Sequence, residues 1–324
     1  MKPTTKIKPV YDVLAQTPDI LIVQTNAGEY LTQPSQSVIE NKDTNIVQAS
    51  SFGRFNLGLH VNDNPQQVLA NRAQLLSLLN QHEHEHEHVH EQLARSESSS
   101  QPSDAKSAAH IDAIYWLSQI HSNKVVEIDD DSRLALTAPK ADALVTQLPN
   151  QALAIMTADC VPIVLYNPNT QHIAAIHAGW QGLANGVIAS CYAQITGQPS
   201  TQQQPIQAWM GICISQNCYE VSSSVVEKLL AGCEQLDMDV SLVREEIVGH
   251  HDNPDKAWLD LPKLAQLQLK QLGVELQQSV ATETSHSGAY ACSYSDSSYY
   301  SYRRQTHLGV DSTGRMAMLI MRLQ

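Results

Sequence analysis

Apolar residues in this chain gather in short runs bounded by turn formers, with a few stretches at helical spacing. Ile20-Leu21-Ile22-Val23 reads as a strand that ends at Asn26-Ala27-Gly28. Val125-Val126-Glu127-Ile128, Ala143-Leu144-Val145 and Ala152-Leu153-Ala154-Ile155-Met156 read the same way, as does Ala208-Trp209-Met210-Gly211-Ile212. Ile163-Val164-Leu165-Tyr166 and Ile173-Ala174-Ala175-Ile176 flank Asn167-Pro168-Asn169-Thr170, which predicts a hairpin. Residues 316–323 form a last apolar strand.

Helical spacing is found over 62–81, where Val68, Leu75 and Leu79 share one face, Asn62 or Asp63 can cap and Pro65 suits the first turn. Arg72 lies on that apolar face, either snorkelling to its rim or aimed at a polar pocket. Further helices are expected from Gly182 through Val187 to about Ile195, over 222–230, and over 261–272. The last has Asp260 as cap, Pro262 in its first turn and Gly273 as stop. Strands and helices do not alternate strictly, so a mixed sheet is expected rather than a doubly wound one.

Between about 81 and 110 the periodicity is lost. His82, His84, His86, His88 and His90 alternate mainly with Glu, and a Ser-rich stretch follows. This low-complexity insertion is expected at the surface, as a loop or a helix extension; metal handling is the alternative.

The chain has 324 residues, 42% of them apolar, which supports a substantial core; its net charge of -13 argues against nonspecific nucleic-acid binding. No segment approaches the ~20 apolar residues of a membrane span, and no signal-peptide apolar core follows Met1-Lys2-Pro3. A cytoplasmic protein is expected. Its six cysteines, at 160, 191, 213, 218, 233 and 292, are expected reduced.

The candidate chemistry rests on His121, Cys160 and His177. Cys160 follows Asp159 at a loop between two apolar runs, and His177 ends the second strand of the expected hairpin. A thiolate and two imidazoles can hold one divalent metal and leave a coordination position open. The same spacing also suits a buried structural cysteine with two ordinary polar histidines. Gly179-Trp180-Gln181-Gly182 leads from His177 towards a helix, where exposed N–H groups attract anions or simply make a tight turn. Tyr299-Tyr300-Ser301-Tyr302-Arg303-Arg304 and Thr313-Gly314-Arg315 suit a phosphate, carboxylate or nucleobase ligand, or else a solvated edge strand.

In order along the chain stand Phe55-Asn56-Leu57-Gly58-Leu59-His60, Asn71-Arg72, Ile120-His121, Ala141-Asp142-Ala143-Leu144-Val145-Thr146, Thr157-Ala158-Asp159-Cys160-Val161-Pro162, His177-Ala178-Gly179-Trp180, Cys218-Tyr219-Glu220-Val221, Tyr300-Ser301-Tyr302-Arg303-Arg304 and Thr313-Gly314-Arg315. This ordered set resembles the laccase-domain family, long described as polyphenol oxidases and now as zinc-dependent purine nucleoside phosphorylases with adenosine deaminase activity. The resemblance implies one domain over 15–324, interrupted at about 81–110, with four α/β/β/α layers and mixed sheets. It implies zinc on His121, Cys160 and His177. It also implies phosphorolysis of adenosine, inosine and S-methyl-5′-thioadenosine, and deamination of adenosine, with purine nucleosides and phosphate as partners and neither nucleic acid nor membrane. Asn56, Arg72, Arg303 and Arg304 match positions expected around the pocket, and Asp159 is the candidate proton shuttle. Two departures stand out: Gln181 replaces an arginine common after His-Ala-Gly-Trp, and Met210-Gly211-Ile212-Cys213-Ile214-Ser215-Gln216-Asn217 replaces a proline-rich loop. Copper-dependent phenol oxidation, a metal-free Cys160/His177 hydrolase and a metal-binding interaction protein are the alternatives.

Overall fold

The computed structural model describes residues 9–29, 51–97, 110–134, 137–196, 204–277 and 291–323, with backbone alone over 85–97. Two mixed sheets dominate. The first orders β1 (Tyr11–Gln16), β2 (Ile20–Thr25), β14 (Met316–Arg322), β6 (Gln151–Thr157) and β3 (Ala113–Tyr115). The second orders β13 (Glu275–Leu276), β9 (Gln207–Met210), β7 (Val161–Asn167), β8 (His172–Ala178), β5 (Ala143–Thr146) and β4 (Val125–Glu127). A small sheet joins β10 (Glu220–Ser222), β12 (Lys256–Leu259) and β11 (Val248–Gly249).

The strand period of two explains the layering. Along β6, Leu153 and Ile155 face the second sheet and pack with Leu144, Val164 and Ala175. The alternate residues Ala152, Ala154 and Met156 face the other way, onto Leu75 and Leu79 of α1 (Pro65–Glu97). Along β8, Ile173 and Ala175 join the sheet-to-sheet core. Ala174 and Ile176 join an outer core with α2 (Trp180–Ala184), α3 (Val187–Ile195), α4 (Ser223–Gln235), α5 (Val240–Ile247) and α6 (Leu261–Gln271). The result is helix, sheet, sheet, helices: the expected four layers. Leu75 and Leu79 are fully buried, and burying each side chain contributes about 2 kcal/mol to docking an otherwise polar helix.

Several elements differ from expectation. Asn64 caps α1, its Oδ1 accepting from Gln66 N at 2.9 Å, while Asp63 instead accepts from the Asn56 amide. The helix continues through the His/Glu run to Glu97, and the rest of that insertion, 98–109, lies outside the described residues. The helix expected from Gly182 to Ile195 is split into α2 and α3 at Gly186, which has φ +75°. A Cβ there would meet Leu236 Cδ2 at 2.8 Å. Residues 299–304 are not an edge strand: they turn into α7 (Tyr302–Leu308), capped by Ser301 Oγ. The predicted α6 is capped by Asp260 and stopped at Gly273, φ +70°.

Candidate metal centre

The β7–β8 hairpin places two of the donors by register alone. Val161 pairs with Ala178 and Pro162 with His177, so Cys160 and His177 meet at the open end of the hairpin. Gly179 follows. A Cβ there would stand 3.0 Å from Cys160 Sγ and 3.2 Å from His121 Cδ2, so a larger residue would push the two donors aside.

His121 arrives from a remote loop with φ +60°. What holds it is Asp142, which precedes β5. Ala143 pairs with Ile176, so the register sets Asp142 beside His177. Its fully buried carboxylate accepts from the backbone N–H groups of Ile120 (3.1 Å), His121 (2.9 Å) and Ser122 (2.6 Å), from Ser122 Oγ (2.8 Å) and from His177 Nδ1 (2.9 Å). One acid therefore curls the His121 loop and orients the His177 ring, directing Nε2 of His177 away from Asp142. Metal-ligating histidines are commonly steadied in this way.

The three donor atoms of His121, Cys160 and His177 lie within 4.8 Å of one another, the one such group of at least three His, Cys, Asp or Glu donors among the described residues. Cys160 Sγ is 4.0 Å from His121 Nε2, and the two imidazole rings stand edge to face with centroids 4.8 Å apart. Burial pushes the Cys160 thiol up, but His177 and His121 outweigh it and bring its pKa down to about 6. Burial pushes His177 down, but the Cys160 thiolate and Asp142 outweigh it and raise His177 to about 9. A thiolate with two imidazoles on a rigid sheet end, their ring orientation already set, fits a divalent metal.

Asp159 is buried at φ +108° beside Cys160. Its Oδ1 accepts from Ser293 Oγ and its Oδ2 from the Arg303 backbone N–H, each at 2.7 Å. Burial raises its pKa despite these donors.

The expected pocket residues have more structural work than their charges suggest. Arg72 donates Nε and Nη2 to Leu57 O at 3.0 and 2.8 Å and lies 4.0 Å over the Trp116 ring, neither snorkelling free nor open on that side. Arg304 is buried and donates to the carbonyls of Ser293, Tyr294, Asp296 and Tyr299. Arg303 donates Nη1 to Glu220 O at 2.7 Å and stacks on Tyr219. Asn56 Oδ1 accepts from the backbone N–H groups of Gly58 and Arg315. Gln181 is exposed on the short α2. A cavity of about 690 Å³ opens beyond Arg72 along β3 and Gln151, and none of the three donors lines it.

Asp142 and His60 escaped the reading of residue roles, whereas Arg315 was flagged only within a segment suited to an anion or a nucleobase. Asp142 could be suspected only as a lone acid opening an apolar strand, and its partner follows from strand pairing.

The family model described as multi-copper polyphenol oxidoreductase laccase matches residues 42–115 and 88–323. The chain is 29% identical over 278 residues to a Shigella flexneri protein named purine nucleoside phosphorylase YfiH, covering 85% of this chain and 88% of that one. It is 30% identical over 275 residues to a Pseudomonas aeruginosa protein named a purine nucleoside phosphorylase, with the same coverage. A crystal structure of a Neisseria meningitidis DUF152 protein superposes with a TM-score of 0.63 at 26% identity, over 98% of this chain and all of that one. A Bacillus licheniformis hypothetical protein YfiH, at 22% identity and a TM-score of 0.64, shares the fold. Sequence match, fold and donor geometry run the length of the chain together: it belongs to the multi-copper polyphenol oxidoreductase laccase family.

Proposed function

We propose that this protein is a zinc-dependent purine nucleoside phosphorylase acting on adenosine, inosine and S-methyl-5′-thioadenosine, with adenosine deamination as a second activity. One observation carries the reading. Three metal-competent donors converge within 4.8 Å on a chain whose relatives at 29–30% identity bear the phosphorylase name.

Zinc on His121, Cys160 and His177 would supply a Lewis acid and water acidified towards a pKa of about 7. In phosphorolysis a phosphate oxygen bonds to ribose C1′ as the C1′–N9 bond breaks. The electron pair leaves with the purine, which takes up a proton. Asp159, whose burial raises its pKa, is the residue assigned to hold that proton. Deamination adds water at C6 of adenosine and releases ammonia, giving inosine. In this reading Arg72 and Arg303 are assigned to the substrate space, and Asn56 and Arg304, which bond backbone groups, to bracing its loops. Nucleosides and phosphate are the partners. The net charge of -13 argues against nonspecific nucleic-acid binding, and no helix among the described residues is long and apolar enough to cross a membrane.

The test is product identification from adenosine and inosine, with and without phosphate, on metal-loaded protein. Phosphate-dependent ribose 1-phosphate is expected; its absence would sink the reading. Copper with phenol turnover would favour the oxidase implied by the family's description. Asp142, His177 and Cys160 also form a relay suited to a cysteine nucleophile. Hydrolysis that survives chelation but not Cys160 alkylation would favour that second reading.

A further inference from the structure

Phosphorolysis needs a place for a phosphate anion beside the nucleoside, and the obvious cations of this chain are engaged elsewhere. Arg304 is surrounded by four carbonyls, Arg303 is held by Glu220 O and Tyr219, and Arg72 by Leu57 O and Trp116. The residue after His177-Ala178-Gly179-Trp180 is the uncharged Gln181.

Arg315 is placed differently. It immediately precedes Met316, whose strand partner is Thr157, so it stands across from the end of β6 that leads to Cys160. Its backbone N–H donates to Asn56 Oδ1 at 2.8 Å, and its carbonyl accepts from Leu57 N at 3.0 Å. Only Nη1 of its guanidinium has hydrogen-bond partners among the described residues, the carbonyls of Thr313 and Gly314 at 3.0 Å. Among the described residues nothing accepts from Nε or Nη2. The loop of residues 55–60 is shaped around this side chain: a Cβ on Gly58 would meet Arg315 Cγ at 2.8 Å.

That loop ends at His60, whose ring is exposed. Partial burial first, and then the charges of Arg315, Arg72 and His177, lower its pKa. Gly58 packs against the Arg315 side chain, so His60, two residues further along the same loop, is carried on the Arg315 side. A guanidinium donor edge and an imidazole N–H carried on the loop that packs against it are donors suited to a tetrahedral oxyanion.

We infer that Arg315 and His60 form the subsite that binds inorganic phosphate beside Cys160. The inference rests on the phosphorylase reading and deepens it. Arg315 would hold two phosphate oxygens with the Nε–Nη2 edge, and His60 would donate to a third from the solvent side.

The experiment measures KM for phosphate at saturating inosine in the metal-loaded wild type, His60→Gln and Arg315→Lys. Calorimetric titration of inorganic phosphate into the same proteins runs alongside. Losing one charge-assisted hydrogen bond costs about ten- to a hundredfold in affinity, so phosphate KM should rise by that factor while inosine KM moves less than twofold. Heat of phosphate binding should weaken in step. His60 is exposed, so its variant remains informative if Arg315→Lys fails to fold. Unchanged phosphate KM and unchanged binding heat in His60→Gln would overturn the subsite. Phosphate binding that both variants weaken, in a wild type without phosphorolysis, would support the subsite and overturn the phosphorylase reading instead.

Discussion

Five donors converge on the carboxylate of Asp142: three successive backbone N–H groups, the Ser122 hydroxyl and Nδ1 of His177. An amide in its place would turn one acceptor into a donor facing other donors. Asp142→Asn is therefore expected to weaken zinc binding about 10- to 100-fold, read by chelator competition. Burial pushes the Asp142 pKa up, but these hydrogen bonds outweigh it and bring the value down from 3.8 to about 2. A depressed carboxylate pKa stabilises the fold above about 3.8, and that contribution is lost as pH falls through about 2. The shift corresponds to about 2 kcal/mol, so urea unfolding of metal-free wild type should lose roughly that much across this window. Asp142→Asn should show no such loss. His177 has the opposite sign. Its raised pKa of about 9 means that metal must displace a proton at neutral pH. Zinc affinity of the protein should rise about tenfold per pH unit between 7 and 9 and level off above. A pH-independent affinity would contradict the arrangement.

The hairpin of β7 and β8 was legible in the sequence because Asn167-Pro168-Asn169-Thr170 separates two apolar runs, and its register delivers Cys160 and His177 together. The turn out of β8 passes tightly between donors at Gly179. Gly179→Ala, with its Cβ 3.0 Å from Cys160 Sγ, should reduce metal content at limiting zinc while leaving the far-UV spectrum intact. Other elements were less legible. Short capping residues compete within a few positions, so the α1 cap moved to Asn64. Residues 299–304 look like a strand by their tyrosines. Ser301, however, caps a helix, and the buried Arg304 holds the preceding loop, contacts that no local pattern announces. The His/Glu run continues α1, and the helix remains attached as far as the buried Glu83, which accepts from Gln16 Nε2. We therefore predict that replacing residues 86–108 by a short linker preserves phosphorolysis, whereas a deletion starting at 81 lowers the melting temperature. Loss of activity in the shorter deletion would instead favour a metal-handling role for the run.

At the scale of the molecule, two sheets packed face to face bring distant segments to one end of the β7–β8 hairpin. His121 comes from the loop before β4, Arg303 from α7, and Arg315 from the start of the last strand. Short apolar runs bounded by turn formers, such as Ala152-Leu153-Ala154-Ile155-Met156, made the strands readable, but not which sheet each would join. For this reason the donors, and Arg315 as part of an anion-suited segment, could be nominated from sequence, while Asp142 and His60 could not be assigned their roles. The same topology makes the central claim simple to test. Wild type and Cys160→Ala, both loaded with zinc and freed of excess, are assayed together for bound metal and for ribose 1-phosphate formed from inosine and phosphate. We predict one zinc per wild-type chain with phosphate-dependent product, and loss of both in Cys160→Ala. Wild type that holds stoichiometric zinc yet forms no ribose 1-phosphate, or a Cys160→Ala protein that retains both, would contradict it.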